Sequence, residues 1–199
     1  MFTGIIETIG FVREVHARGG NITFWIESSI SKELKIDQSL AHNGVCLTVE
    51  ETRGNLHRVT AIKETLEKTT MGEWTDGRIL NLERCLKPSD RLDGHFVQGH
   101  VDTRATCIEK KSFDGSWQYR FRFPENFASL VIEKGSICVD GISLTAFNVS
   151  ADAFTVAIIP YTLQHTNMQD LSIGDLVNLE FDMIGKYVVR KMQLELQNS

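Results

Sequence analysis

Proline is nearly missing from this chain, with 3 among 199 residues. A stiff proline-rich linker or a low-complexity spacer is therefore excluded. No stretch approaches the ~18 consecutive apolar residues of a membrane span. The start, Met1-Phe2-Thr3-Gly4-Ile5-Ile6-Glu7, lacks the basic region and long apolar run of a secretory signal. No membrane association and a cytoplasmic location are expected. Positive charge is also short: the formal net charge is −5, which leaves no basic footprint for nucleic acid or an anionic lipid surface. The four cysteines, Cys46, Cys85, Cys107 and Cys138, form no Cys-x-x-Cys pair. Neither a zinc ribbon nor a thioredoxin-type site is supported, and free thiols in a reducing compartment are expected. No Gly-x-Gly-x-x-Gly and no phosphate loop follows a strand, so no nicotinamide or nucleotide cofactor is indicated. No His-Glu-x-x-His or cysteine cluster suggests a metal.

What is present is an internal repeat. Asn43-Gly44-Val45-Cys46-Leu47-Thr48-Val49 returns as Asp140-Gly141-Ile142-Ser143-Leu144-Thr145-Ala146, a shift of 97 residues. That shift also maps Phe24 onto Phe121, Ser39 onto Ser136, Val59 onto Val156 and Thr65-Leu66 onto Thr162-Leu163. Gly77, Asn81, Leu82 and Glu83 land on Gly174, Asn178, Leu179 and Glu180. Gly4 meets Gly99 at a shift of 95, so one small indel separates the copies. So long a period is a domain duplication rather than a solenoid. Two similar folds offer two similar pockets, which suit two copies of one ligand.

Strand signals dominate both halves. Segments near 3–15, 21–27, 38–42, 44–51, 56–62 and 78–84 carry β-branched and aromatic residues between turn-formers. Their mates lie near 97–109, 117–123, 135–139, 141–149, 153–159 and 175–181. About six short strands in each half predict an all-β fold of two homologous units, each a small closed six-stranded barrel or a sandwich. Short helices are expected at 29–36 and 125–133. The domains read as 1–87 and 95–185, joined by a linker at 88–94, with a helix over 186–199. In that tail Val189, Met192 and Leu196 follow helical spacing. So short a helix is marginal alone and must dock, on its own barrel or on the same helix of other subunits.

In a strand over 45–49, Val45, Leu47 and Val49 share one face, and Cys46 and Thr48 the other. The second copy places Ser143 and Thr145 opposite Ile142, Leu144 and Ala146. An apolar face suits a core, and small polar groups on the other suit the border of a planar polar ligand. The copies differ where Cys46 faces Ser143, Asn43 faces Asp140 and Ile5 faces His100. Asp140 and His100 are therefore expected to collect in the second copy, where a histidine can move protons near neutrality. His95 lies five residues before His100 and points to the opposite strand face, which disfavours a shared metal. His16, His42, His57 and His165 take a structural role by default.

These residues resemble riboflavin synthase of the alpha-chain type. The resemblance rests on the opening Met1 to Glu7, His42 to Val49, Lys63-Glu64-Thr65-Leu66, Gly94-His95, Gly99-His100-Val101-Asp102, Asp140 to Thr145, and Ile159-Pro160 with Thr162-Leu163. It runs from Met1 to about Arg190. It implies two Greek-key β-barrels and a C-terminal helix that joins three subunits into a homotrimer. It implies a transferase of riboflavin biosynthesis that dismutates two 6,7-dimethyl-8-ribityllumazine molecules, one giving a four-carbon unit to the other. The products are riboflavin and 5-amino-6-ribitylamino-pyrimidinedione, with no metal or organic cofactor. The site lies between the first barrel of one subunit and the second barrel of its neighbour. Lumazine synthase, which forms the substrate, is a candidate partner.

Residue by residue, the resemblance gives ligand contacts to Gly4, Ile5 and Ile6, and to Gly99, His100 and Val101. It adds Cys46, Leu47 and Thr48 with Ser143, Leu144 and Thr145. It adds Thr60, Ala61, Ile62, Lys63, Glu64 and Thr65 with Ala157, Ile158, Ile159, Pro160, Tyr161 and Thr162, and finally Lys134. The expected catalytic set is Ser143 and Thr145 polarising one ring, His100 moving protons, Asp140 orienting Ser143 or a water, and Cys46 with Thr48 holding the partner molecule. Val45 replaces a second cysteine of some members, and Tyr161 stands where an acidic residue is common. The alternative within the family is a non-catalytic antenna that binds a lumazine or flavin.

Overall fold

The computed structural model of the protein describes residues 1–197. The first half is built from β1 (Thr8–Arg18), β2 (Asn21–Ser28), β3 (Ser39–His42), β4 (Val45–Thr48), β5 (Glu51–Arg53), β6 (Leu56–Ala61) and β7 (Ile79–Arg84). The second is built from β8 (Thr103–Phe113), β9 (Ser116–Arg122), β10 (Ser136–Val139), β11 (Ile142–Thr145), β12 (Ala153–Ile158) and β13 (Leu176–Phe181). The spatial orders are β4-β3-β7-β1-β2-β6-β5 and β11-β10-β13-β8-β9-β12. In each half the last strand returns through a long connection and inserts between the first and third, a Greek-key path. Glu50 N–H donates to Arg58 O at 2.9 Å, and Phe147 and Thr155 exchange backbone bonds at 2.9 and 2.8 Å. These contacts curl each sheet onto itself, which protects strand edges.

Several expectations shift in detail. The first half has a seventh strand, β5, which turns back through Gly54 onto β6. Its mate region makes only the isolated Phe147–Thr155 bridge. The helices expected at 29–36 and 125–133 are 3-10 turns, Ser31–Glu33 and Glu125–Leu130. One turn suffices there, because Ile30 and Leu34 are already buried on either side of it. Two short helices were not anticipated, α1 (Lys63–Lys68) and α2 (Pro160–His165). The tail helix, α3 (Met183–Gln197), starts ahead of the expected residue 186 because Asp182 caps it. The Asp182 carboxylate accepts the Ile184 N–H at 2.9 Å. Residues 198 and 199 of the expected helix lie outside the described residues.

The repeat extends to irregularities. β1 bulges between Val12 and Glu14, and β8 between Cys107 and Glu109. Ile26 pairs with Val12 and Phe121 with Cys107. Phe121 is therefore the counterpart of Ile26, and Tyr119 that of Phe24, which corrects the match of Phe24 with Phe121. The indel sits in the connection after β9, not in the first hairpin.

Each barrel has its own apolar core, one around Phe24, Leu40, Val59 and Leu82, the other around Phe121, Phe154, Val156 and Leu179. The halves meet at a pseudo-twofold contact between two hairpin turns. Asn43-Gly44 and Asp140-Gly141 all have positive φ, as the tight β3–β4 and β10–β11 turns require. A Cβ on Gly44 would stand 2.8 Å from Gly141 N, so glycine permits the turns to touch. The Asn81 amide donates to Asp140 O at 2.9 Å, and the Asn178 amide donates to Asn43 O at 2.8 Å. Asn178 Oδ1 accepts the Thr70 N–H, and Asn81 Oδ1 accepts the Asn167 N–H, both at 2.8 Å. These buried pairings satisfy turn backbone that water cannot reach.

Candidate active site

The starts of the two halves leave their own sheets and cross. Phe2 and Val97 pair as an isolated antiparallel bridge, with backbone bonds of 2.7 and 3.1 Å. Past it, the N-terminal segment runs along the second barrel, where Gly4 O accepts the Ser143 N–H at 2.8 Å. The 97–100 segment runs along the first barrel, where Gly99 O accepts the Cys46 N–H at 2.9 Å. A Cβ on Gly4 would lie 2.6 Å from the Ser143 Cβ, and one on Gly99 would lie 2.6 Å from the Cys46 Cβ. Each segment thus seals itself against one polar strand of the opposite half.

Two expected residues stand elsewhere than beside Ser143. His100 belongs to the rim of the first barrel with Cys46, not beside Ser143. It borders a cleft of about 270 Å³ with Cys46, Glu64, Thr65, Lys68, Gly99 and Val101. Asp140 does not reach Ser143 either. Its carboxylate is buried at the pseudo-twofold contact, accepting the Asn178 N–H and the Asn167 amide at 2.8 Å each. Burial pushes its pKa up to about 6 against those two bonds.

On the first rim, burial follows the expected alternation: Val45 and Leu47 are buried, Cys46 is half-buried and Thr48 is exposed. Burial pushes the Cys46 thiol above its ordinary value, which disfavours the thiolate, and Cys46 borders the cleft. Thr60 faces the barrel surface, bonded to Thr23 at 3.0 Å and to Glu50 at 3.0 Å. Ala61 is buried in the core, while Ile62 and Lys63 are exposed at the start of α1. Glu64 and Lys68 form an ion pair at 2.8 Å across one turn of α1.

On the second rim, Ser143 is half-buried, Leu144 packs against the core and Thr145 is exposed. Sequence reasoning missed the partner of Ser143, which is His95: its Nδ1 lies 2.6 Å from the Ser143 hydroxyl. Burial holds the His95 pKa below the ordinary imidazole range, opposed by the nearby Asp182 charge. A neutral imidazole can accept the serine proton. The signal was the Gly94-His95 pair; the Cβ position of Gly94 lies 2.0 Å from Thr3 O, so only glycine lets the segment pass. Ile5 is exposed and Ile6 packs on the second core. Ala157, Ile159, Pro160 and Tyr161 are exposed, Thr162 is half-buried, and Ile158 is buried in the core. Tyr161 stacks on His165, with ring centroids 4.1 Å apart, where α1 has its Glu64–Lys68 pair. His165 therefore stands at the rim rather than in a core. Lys134, in a left-handed turn, lies with its ammonium 5.2 Å from the centre of the Phe147 ring.

Both rims present the same elements: a glycine segment from the other half, a strand offering Cys46 and Thr48 or Ser143 and Thr145, and a one-and-a-half-turn helix. Such a frame can hold a flat ring against backbone groups. The family model of the lumazine binding domain matches the chain twice, at residues 3–85 and 98–182. The riboflavin synthase of Actinobacillus pleuropneumoniae is 38% identical over 189 residues, covering 94% of this chain and 88% of that protein. That of Bacillus subtilis is 38% identical over 201 residues, covering 100% and 93%. That of Saccharomyces cerevisiae is 35% identical, covering 100% and 89%. Among solved structures, LumP complexed with riboflavin superposes with a TM-score of 0.85 at 20% identity, covering 91% of this chain and 99% of that one. LumP complexed with 6,7-dimethyl-8-(1'-D-ribityl) lumazine gives 0.83 at the same identity and coverage.

Proposed function

The chain belongs to the riboflavin synthase family of lumazine-binding proteins, and from that premise we propose how its two rims divide the work. The protein is a transferase. It converts two 6,7-dimethyl-8-ribityllumazine molecules into riboflavin and 5-amino-6-ribitylamino-pyrimidinedione by moving a four-carbon unit from one to the other. Donor and acceptor are the same compound, so the enzyme needs two pockets of one kind in different settings. The duplicated rims supply them, with residues 1–87 and 95–185 as the two carriers. Holding both rings in reacting geometry can supply roughly 7–11 kcal/mol of the barrier. The antenna reading is not favoured, because the relatives that align along nearly the whole chain are synthases, and the LumP likeness at 20% identity speaks to fold alone.

The observation that carries the division of roles is the Ser143–His95 contact at 2.6 Å. Neutral His95 accepts from the Ser143 hydroxyl and orients it toward the ring on the second barrel, the role expected of Asp140. Thr145 borders the same ring. The 7-methyl group of the substrate is acidic because its carbanion delocalises into the ring. His100, at the first rim, takes and returns that proton. Cys46 and Thr48 flank the molecule bound there, with the Gly99 backbone at its edge, and Gly4 to Ile6 edge the other. Lys134 and the helix starts at Ile62 and Ile159 reach the ribityl chains.

The two rims that react together come from neighbouring subunits of a trimer joined by α3. That helix exposes Ile184, Tyr187, Val188, Met192 and Leu196, more apolar surface than an isolated helix keeps in water. The protein works in the cytoplasm, where its four cysteines stay free thiols, and a lumazine synthase supplies its substrate. Incubation with the lumazine tests the reading: riboflavin fluorescence rises with two substrates consumed per product. Tight binding without conversion contradicts it.

A further inference from the structure

Glu83 and its repeat-mate Glu180 are buried carboxylates that the chemistry above does not use. Glu83 is the next-to-last residue of β7 and 6% exposed; Glu180 is the next-to-last residue of β13 and 3% exposed. Burial raises the pKa of both, and backbone N–H donors oppose the rise. The donors are the crossing segments. The Glu83 carboxylate accepts the Thr3 N–H at 2.6 Å, the Thr3 hydroxyl at 2.7 Å and the Gly4 N–H at 3.0 Å. The Glu180 carboxylate accepts the N–H groups of Gln98, Gly99 and His100 at 2.7, 2.9 and 2.9 Å. Consecutive N–H groups aimed at one point form a concavity that demands an anion. Charge-assisted bonds of this length are stronger than neutral ones.

The direction of the hold is the informative part. Glu83 belongs to the first barrel, yet the segment it grips seals the second barrel's rim through Gly4 O and Ser143 N–H. Glu180 belongs to the second barrel, yet its segment carries His100 to the first rim and bonds Cys46 N–H through Gly99 O. Each carboxylate is therefore one bond removed from a pocket of the other half. A carboxylate that served only its own barrel would bond its own strands. These two spend every bond given to them on the crossed segments.

We infer that Glu83 and Glu180 are positioning residues for the reaction, each fixing the rim of the opposite barrel's ring pocket: Glu83 sets Gly4 against Ser143, and Glu180 sets Gly99 and His100 against Cys46. The inference rests on the reading of those rims as the two substrate pockets. A glutamine in either place offers one acceptor oxygen and turns an amide N–H₂ toward N–H donors, so the segment loses its seat without loss of side-chain volume. A misplacement of about 1 Å at a reacting group can cost about 100-fold in rate.

The test uses the full-length protein with Glu83→Gln and Glu180→Gln, read by hydrogen exchange mass spectrometry and by steady-state kinetics. Glu83→Gln should raise exchange in peptides covering residues 2–6 and 142–145 and leave 45–48 at the wild-type rate. Glu180→Gln should raise it in 97–101 and 45–48 and leave 142–145 unchanged. In both, kcat should fall about 100-fold while riboflavin affinity changes only a few-fold. Glu83→Asp and Glu180→Asp, which keep the charge, should recover part of kcat. If Glu83→Gln does not fold, Thr3→Val removes the hydroxyl bond to Glu83 together with the one the hydroxyl accepts from the Ile5 N–H, and should give the same pattern at lower amplitude. Exchange that rises only within the variant's own barrel overturns the inference, and so does wild-type kcat in a variant with the crosswise pattern. A wild-type protein that does not convert lumazine would sink the functional reading instead, and the exchange pattern would still judge the clamps.

Discussion

Replacing Gly99 by alanine tests the crossed-segment geometry by crowding rather than by removing a charge. Gly99 has φ +79°, and its added Cβ would meet the Cys46 Cβ at 2.6 Å and the Phe2 ring at 2.9 Å. The left-handed backbone costs an L-residue about 1–2 kcal/mol. Crowding in a packed site costs about 1–3 kcal/mol more. The sum, roughly 2–5 kcal/mol, corresponds to a drop in Tm of roughly 5–15 °C for a chain of this size. The segment relieves the clash by lifting off β4, which carries the Gly99 carbonyl away from Cys46 N–H and moves His100 from the cleft. Turnover should then fall by about 100-fold, as expected for a shift near 1 Å. Gly20→Ala is the control, because Gly20 has φ +88° but nothing within 4 Å of the added Cβ. It bears the backbone cost alone, about 1–2 kcal/mol, and should keep wild-type kcat. Thermal unfolding and the lumazine conversion assay read both effects. Equal activity of Gly99→Ala and Gly20→Ala would refute the claim that the 97–100 segment forms the first rim.

Ser143→Ala and His95→Gln should each lower kcat by about 10²–10⁴-fold and change riboflavin affinity little, measured by steady-state kinetics and fluorescence titration. Because the two groups act through one bond, the double variant should be no slower than the worse single one. Asp140 gives a pH signature. Its carboxyl is raised from 3.8 to about 6 on folding, so the folded state binds the extra proton and stability falls as pH rises through that window. The loss amounts to about 3 kcal/mol between pH ~4 and ~6. Asp140→Asn should flatten that part of the stability–pH curve by denaturant unfolding, with a residual slope from Glu83 and Glu180, which burial also raises. Asn178→Ala strands the Thr70 N–H and the Asn43 carbonyl. It should cost about 2–6 kcal/mol in chemical unfolding, at about 1–3 kcal/mol for each buried unpaired group.

Much of the architecture was legible because the repeat encodes it. The Asn43-Gly44 and Asp140-Gly141 turns name their hairpins, and the alternation from Val45 to Thr48 separates the buried face from the more exposed one. The crossing was not legible. A segment that pairs with its own barrel and one that pairs with its twin produce the same repeat map, so His100 was assigned to Ser143 when it belongs with Cys46. For the same reason His95 was passed over, since its partner Ser143 lies 48 residues away on a strand of similar spacing. Asp140 misled because an ionisable residue in place of Asn43 suggests chemistry, whereas its carboxylate completes the amide lattice between the halves. His42 and His57 kept the structural role expected of them, bonded Nε2 to Nε2 at 2.9 Å with Ser31 at 2.8 Å from His57. The second barrel places Phe154 where His57 stands.

The most direct test is a crystal structure with a non-reacting lumazine analogue bound. Two molecules per chain are predicted, one edged by Gly99 and His100 against Cys46, the other edged by Gly4 and Ile5 against Ser143 and His95. An analogue seated in the separate cleft beside Phe11, Arg13 and Asn55, with both rims empty, would contradict the account.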